Sequence, residues 1–147
     1  MSKLEQIIEM WKLDSTIDES NPHQELVKIP ILHAKYVELL SKHRLASHKI
    51  KFDHMKMKQI RKEYYLGNLD RETLEEYKWD QFDLKIGTKG NLDYYIDSDE
   101  NLIKLLQKKV YHDECISLCE SILKELHSRT FQLKEYCTHM RFLAGSY

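Results

Sequence analysis

Hydrophobic and polar positions follow one another along this chain with a helical period. Between Pro30 and Gly67, a heptad series reads Leu32, Tyr36, Leu39, His43, Ala46, Ile50, Asp53, Met57, Ile60 and Tyr64, eight of the ten apolar or aromatic. That spacing draws one apolar stripe along a helix, and the stripe needs a packing partner. No Gly or Pro interrupts the stretch. Pro30 fits a first helical turn, where its missing N–H is no loss, and Gly67-Asn68 supplies a stop. About 35 residues at 1.5 Å each extend roughly 50 Å.

Beyond the stop, Asp70 is placed to cap a short helix through Thr73, Glu76 and Tyr77. Residues 82–86 alternate apolar and polar, 87–91 are turn-rich, and 92–96 are β-prone. This pattern predicts a hairpin with a five-residue loop. Asp97 followed by Glu100 predicts another helix start, and from there to Ala144 neither Gly nor Pro occurs. The polar run His127-Ser128-Arg129-Thr130 leaves open whether this is one helix or two. After it, Phe131, Leu133, Tyr136, Cys137, Met140 and Leu143 form a terminal apolar stripe. Such a stripe folds back on the core or packs on another subunit. The predicted fold is mainly α with a small β-hairpin (α+β): a long basic amphipathic helix, the hairpin, then C-terminal helices.

Composition narrows the classes. The chain has 147 residues, 41% hydrophobic and 32% charged, with 4 Gly and 2 Pro. That is one ordinary domain with a modest core, and too few turn residues for an all-β or a disordered chain. Lys+Arg is 23 and Asp+Glu 24, a net charge of −1, which excludes a uniformly basic protein. The balance is not local. Residues 1–34 carry 3 Lys and 6 acids, 35–62 carry 9 Lys/Arg and 2 acids, and 70–100 carry 4 Lys/Arg and 10 acids.

The basic residues fall in register. Lys35, Lys42, Lys49 and Lys56 are seven apart, as are Arg44, Lys51 and Lys58, and the two rows flank the apolar stripe. Solvated helix faces ordinarily mix signs so that Glu and Lys pair four apart. Here acids are nearly absent, so the repulsion calls for a polyanion, or for acidic segments of this chain or a neighbour. Lys42, Arg44, Lys49, Lys51, Lys56, Lys58, Arg61 and Lys62 are the candidate phosphate contacts. Aromatic rings near them favour single strands, because rings stack on unpaired bases. Those rings are Tyr36, Phe52, Tyr64 and Tyr65; Tyr64 lies on the apolar stripe, which makes Tyr65 the better stacking candidate. No helix-turn-helix or zinc-finger pattern is present, so sequence-specific reading is not expected.

Catalytic chemistry finds little support. There is no H-E-x-x-H, no G-x-S-x-G and no nucleotide-binding glycine motif; Gly87-Thr88-Lys89-Gly90 lacks P-loop spacing. The carboxylates form no recognisable acid/base pair. The three cysteines read as reduced thiols, and Cys115 and Cys119, four apart, as small core residues. His112-x-x-Cys115-x-x-x-Cys119 lacks a fourth ligand of fixed spacing. No catalytic residue, metal or cofactor is expected. The opening Met1-Ser2-Lys3-Leu4-Glu5 has no signal-peptide apolar run, and no stretch of about 18 apolar residues spans a membrane. Two other classes stay open: a helical adaptor whose charged segments pair without nucleic acid, and a small metal-dependent nuclease.

Four short pieces recur in order. They are Lys35-Tyr36 opening the basic helix, and the run ending Arg61-x-x-Tyr64-Tyr65 before Gly67. Ser128-Arg129-Thr130-Phe131-Gln132-Leu133-Lys134 follows a Ser-Arg-x-Phe-x-x-Lys pattern, and Met140-Arg141-Phe142 precedes Ala144-Gly145. In this combination the chain resembles the UvsY family of recombination mediators of tailed bacteriophages, over most of its length but little between Gly67 and Asp97. One departure is Gln59, where the family pattern has Lys, with Lys58 beside it. The resemblance implies a non-enzymatic protein that binds single-stranded DNA as a ring-like homo-oligomer in the cytoplasm of the infected bacterial host. It implies partners as well: a RecA-like recombinase to be loaded, and the single-strand-binding protein it replaces. It divides the chain into a DNA-binding part, 1–127, and an oligomerisation helix, 128–147.

Overall fold

Helix-forming sequence with few breakers becomes five helices joined by short connections in the described residues, which in this computed structural model are 1–82 and 89–145. The order is α1 (Lys3–Asp14), α2 (Pro22–Tyr65), α3 (Arg71–Tyr77), α4 (Lys89–Asp97) and α5 (Glu100–Leu143). None of these helices is long and apolar enough to cross a membrane.

The expected hairpin is not there. Most of its first strand and the start of its loop fall in 83–88, which lie outside the described residues, but 89–91 of the loop and all of 92–96 belong to helix α4. The reason is visible in burial. Leu92 and Tyr95 pack against a core cluster and Ile96 is buried within it. Those positions are three and four apart, a helix face rather than a strand face. Predicted mainly α with a hairpin, the fold is all-helical among the described residues.

One other expectation shifts, and the choice left open between one terminal helix and two is answered. α2 begins at Pro22 in the first helical position and carries Pro30 inside it, one intrahelical bond short. α5 runs unbroken through His127-Ser128-Arg129-Thr130. Thr130 stays helical by donating its hydroxyl to the Leu126 carbonyl at 3.2 Å. The stop after α2 forms as expected. Gly67 adopts φ +75°, its N–H reaches the Tyr64 carbonyl and the Asn68 N–H reaches the Glu63 carbonyl. These are the paired bonds of a Schellman cap, and the left-handed conformation favours Gly. Asp70 caps α3 by accepting the Thr73 N–H at 2.8 Å.

The chain forms two compact units, Met1–Leu45 with Tyr111–Tyr147, and Ala46–Val110. In the first, Ile7, Tyr36, Leu40, Cys115, Cys119, Ile122 and Leu126 form the buried core. Burial pushes the Cys119 thiol up to about 11. Helix α1 is held at both ends. Ser2 and Glu5 form a capping box, and the Tyr111 hydroxyl accepts the Leu4 N–H at 2.9 Å. At the other end, buried Arg129 donates to the carbonyls of Asp14 and Ser15 and lies over the Trp11 ring. A cation on the exposed carbonyls of a helix C-terminus is favourable. The Asp14 carboxylate accepts from Lys35 at 2.6 Å and from Tyr36 at 2.8 Å.

In the same unit the Nδ1 atoms of His43 and His112 lie 2.9 Å apart, so one ring donates to the other. Burial lowers the pKa of both, aided for His43 by His112 and Lys3, and for His112 by Lys3, with Asp113 opposing. A folded pKa below the unfolded value near 6.5 makes the unfolded state the better proton binder. Stability from this pair is present above that value and is lost as pH falls below it. Melting temperature is expected to drop between pH 7.5 and 5.5, and His112→Gln to flatten that drop. An unchanged slope in the variant would assign the pH dependence elsewhere.

In the second unit, Tyr65, Ile96 and Leu102 form the buried cluster, with Met57, Tyr64, Phe82, Leu92 and Tyr95 packed on it. Asp99, rather than Asp97, starts α5: its carboxylate accepts the Leu102 N–H at 3.1 Å and its carbonyl the Ile103 N–H.

Candidate nucleic-acid interface

Which cations face solvent depends on the register of α2, and the register differs from the apolar heptad. From Tyr36 onward the buried positions are Tyr36, Leu40, His43, Ser47 and Ile50, then Arg61 and Tyr65, with His54, Met57 and Ile60 half-buried between. From Tyr36 to Arg61 the series 36, 40, 43, 47, 50, 54, 57, 61 alternates four and three. It keeps positions 36, 43, 50 and 57 of the expected stripe, buries 40, 47 and 61 more deeply than half-buried 39, 46 and 60, and turns Asp53 out in favour of half-buried His54. The deeper positions include Ser47 and Arg61, which an apolar count discards.

Arg61 and Tyr65 are therefore interior groups, and neither is the surface contact expected of it. Arg61 is 8% exposed. Its Nε donates to Asp99 Oδ2 at 2.5 Å, and its guanidinium lies 4.3 Å from the Tyr64 ring centroid and 4.5 Å from that of Trp79. The Tyr65 hydroxyl donates to Asp99 at 2.6 Å and accepts from Arg61 at 3.0 Å, while its ring meets Phe82 and Tyr95. Neither group is open to a base. Burial pulls the Asp99 carboxyl upward, but the bonds from Tyr65, Arg61 and the Leu102 N–H outweigh it and hold the carboxyl below its ordinary value.

The other cations separate by unit. In the first, Lys35 pairs with Asp14, Lys42 with Glu38 at 3.2 Å, and Arg44 with Glu120 at 3.0 Å. In the second, Lys49, Lys51, Lys56 and Lys58 are exposed and Lys62 is half-exposed. Among the described residues none of these five has a carboxylate within ion-pairing distance. At about 100° per residue, Lys49 and Lys56 share one side of the helix and Lys51, Lys58 and Lys62 the other. Between the rows stand Phe52, 58% exposed, and Met55, 59% exposed. Phe52 makes no ring contact among the described residues. The sequence places Phe52 among the rings beside the cations but favours Tyr65, whose burial no local pattern shows.

The terminal stripe also divides. Leu133 and Cys137 are buried in the first unit, with the Cys137 sulfur 3.9 Å from His23 Nδ1. Tyr136 is half-buried, its hydroxyl reaching the Glu19 carbonyl. Phe131, Met140 and Leu143 remain exposed, as does Phe142. Part of the stripe thus folds back on its own unit and part is left outside.

The family described as "Recombination, repair and ssDNA binding protein UvsY" matches residues 10–146. Two crystal forms of the recombination mediator protein UvsY of bacteriophage T4 are similar in fold. One has TM-score 0.83 at 22% identity, covering 98% of this chain and 99% of that one. The other has TM-score 0.82 at 20% identity, covering 96% and 99%. Among curated protein sequences nothing matches.

Proposed function

The chain belongs to the UvsY family of recombination, repair and single-stranded DNA-binding proteins, and from that premise we propose that it is a non-enzymatic recombination mediator. It binds single-stranded DNA through the exposed lysine face of α2, with Lys49, Lys51, Lys56, Lys58 and Lys62 on the phosphates. Lys42 and Arg44, already ion-paired, contribute less. It assembles as a ring-like homo-oligomer through the exposed Phe131, Met140 and Leu143 of the 128–147 segment. On that scaffold it loads a RecA-like recombinase in place of single-strand-binding protein, in the cytoplasm of the infected host.

The observation that carries the reading is the row of lysines left without carboxylate partners among the described residues. Like charges on one helix face are unfavourable, and a phosphate chain removes that penalty while releasing its own counterions. A ring repeats the face, so a strand that has met one copy meets the next at high effective concentration. The strand is then held in a shape that suits the recombinase and weakens the competing single-strand binder.

Anisotropy of labelled oligo-dT against duplex of equal length, at low and moderate salt, tests this. Tight binding that prefers oligo-dT and falls steeply with salt is expected. An assembled protein that binds neither would return the chain to the adaptor reading.

A further inference from the structure

We propose that Phe52 is a stacking platform for an unpaired base, and that it, rather than the lysines, makes the surface prefer single strands. The inference rests on the nucleic-acid reading above and adds to it a residue and a physical cause of selectivity.

Lysine ammonium groups neutralise phosphate wherever it lies, so the two rows by themselves attract duplex and single strand alike. Discrimination needs a group that reads what only a single strand offers, the open face of a base. Within the second unit the rings of Tyr64, Tyr65, Tyr77, Trp79, Phe82, Tyr94 and Tyr95 are each engaged with another ring. Among the described residues Phe52 is not, and more than half of it is exposed. A lone exposed Phe is unremarkable on a protein surface. This one stands between two rows of unpaired lysines, with Met55 one turn on and equally exposed. A strand whose phosphates are held by lysines on both sides passes directly over the ring. Duplex bases are already stacked and cannot use it.

Binding of three labelled probes of equal length tests the assignment: oligo-dT, an abasic oligomer with the same phosphates but no bases, and duplex. The chain is compared with Phe52→Leu, which keeps the apolar surface without a ring, and with Phe52→Tyr, which keeps a ring. Wild type is expected to bind oligo-dT at least about tenfold more tightly than the abasic strand, from stacking. Phe52→Leu should lose about that factor with an unchanged salt slope, and Phe52→Tyr should retain it. An oligo-dT to abasic ratio in Phe52→Leu equal to wild type would overturn the proposal while leaving salt-dependent binding intact. A change of assembly mass in Phe52→Leu, measured by sedimentation, would also overturn it, because the ring would then face a second copy. Absence of salt-sensitive binding to every probe would overturn the nucleic-acid reading itself.

Discussion

Asp99→Ala is expected to destabilise the Ala46–Val110 unit by about 3–5 kcal/mol, the usual consequence of removing one partner from a buried ion pair. Asp99 is 2% exposed and has three separate tasks. It neutralises buried Arg61, accepts the Tyr65 hydroxyl and caps the first turn of α5. Its removal leaves a guanidinium charged among aromatic rings, and loss of the cap adds about 1 kcal/mol. Domains of this size have only about 5–15 kcal/mol in total, so the variant approaches unfolding. Denaturation followed through Trp79 in a Trp11→Phe background reports on this unit, since the chain has 2 Trp residues. Because the Asp99 carboxyl sits below its ordinary value, its stabilisation is present above about pH 4 and fades as pH falls further. Arg61→Met with Asp99→Asn removes both charges and keeps a capping side chain, and it should recover much of the loss. A loss below about 1 kcal/mol in Asp99→Ala would show that the pair does not hold the unit together.

Replacing Lys49, Lys51, Lys56 and Lys58 together by Ala is expected to act on binding and spare the fold. Each lost phosphate contact on a single strand lowers the salt slope by about 0.7. Four such contacts remove nearly three powers of ten across one decade of salt, so oligo-dT affinity near 0.1 M should fall by about 10²–10³-fold. Thermal stability should hold or rise, because like charges are removed from one face. Titration at several salt concentrations, with a melting curve for each sample, measures both. An unchanged slope would remove these lysines from the site. The contrast with Arg61 is diagnostic. Arg61→Ala also lowers apparent binding, but through lost stability, and a melt separates the two causes.

Much of the helical frame was legible in the sequence, because its causes are local. The sparse Gly and Pro, the Gly67 stop and the Asp70 cap act within a few residues of themselves. So does the concentration of nine cations in 35–62, which places the basic surface on α2 before any contact is known. The hairpin failed for a non-local reason. Leu-Asp-Tyr-Tyr-Ile is as good a strand as a helix, and what decides is the cluster that receives Leu92, Tyr95 and Ile96.

The site was only half legible. A 3.6-residue turn and a 3.5-residue repeat drift by about 20° per heptad, so neighbouring positions compete for the same face. An apolar count chose Ile60 over Arg61, and only a carboxylate 38 residues away reverses the choice. The same distant partner turned Tyr65 inward and left Phe52 as the open ring. In the terminal helix, that Tyr136 and Cys137 turn inward is set by Glu19 and His23, in a segment more than 100 residues earlier. Sequence by itself determined where the charge lies, where α2 stops and where α3 is capped, since composition and capping act within a few residues. Tertiary structure alone decided which cations and rings are buried, since burial is a contact between parts of the chain that local pattern does not connect.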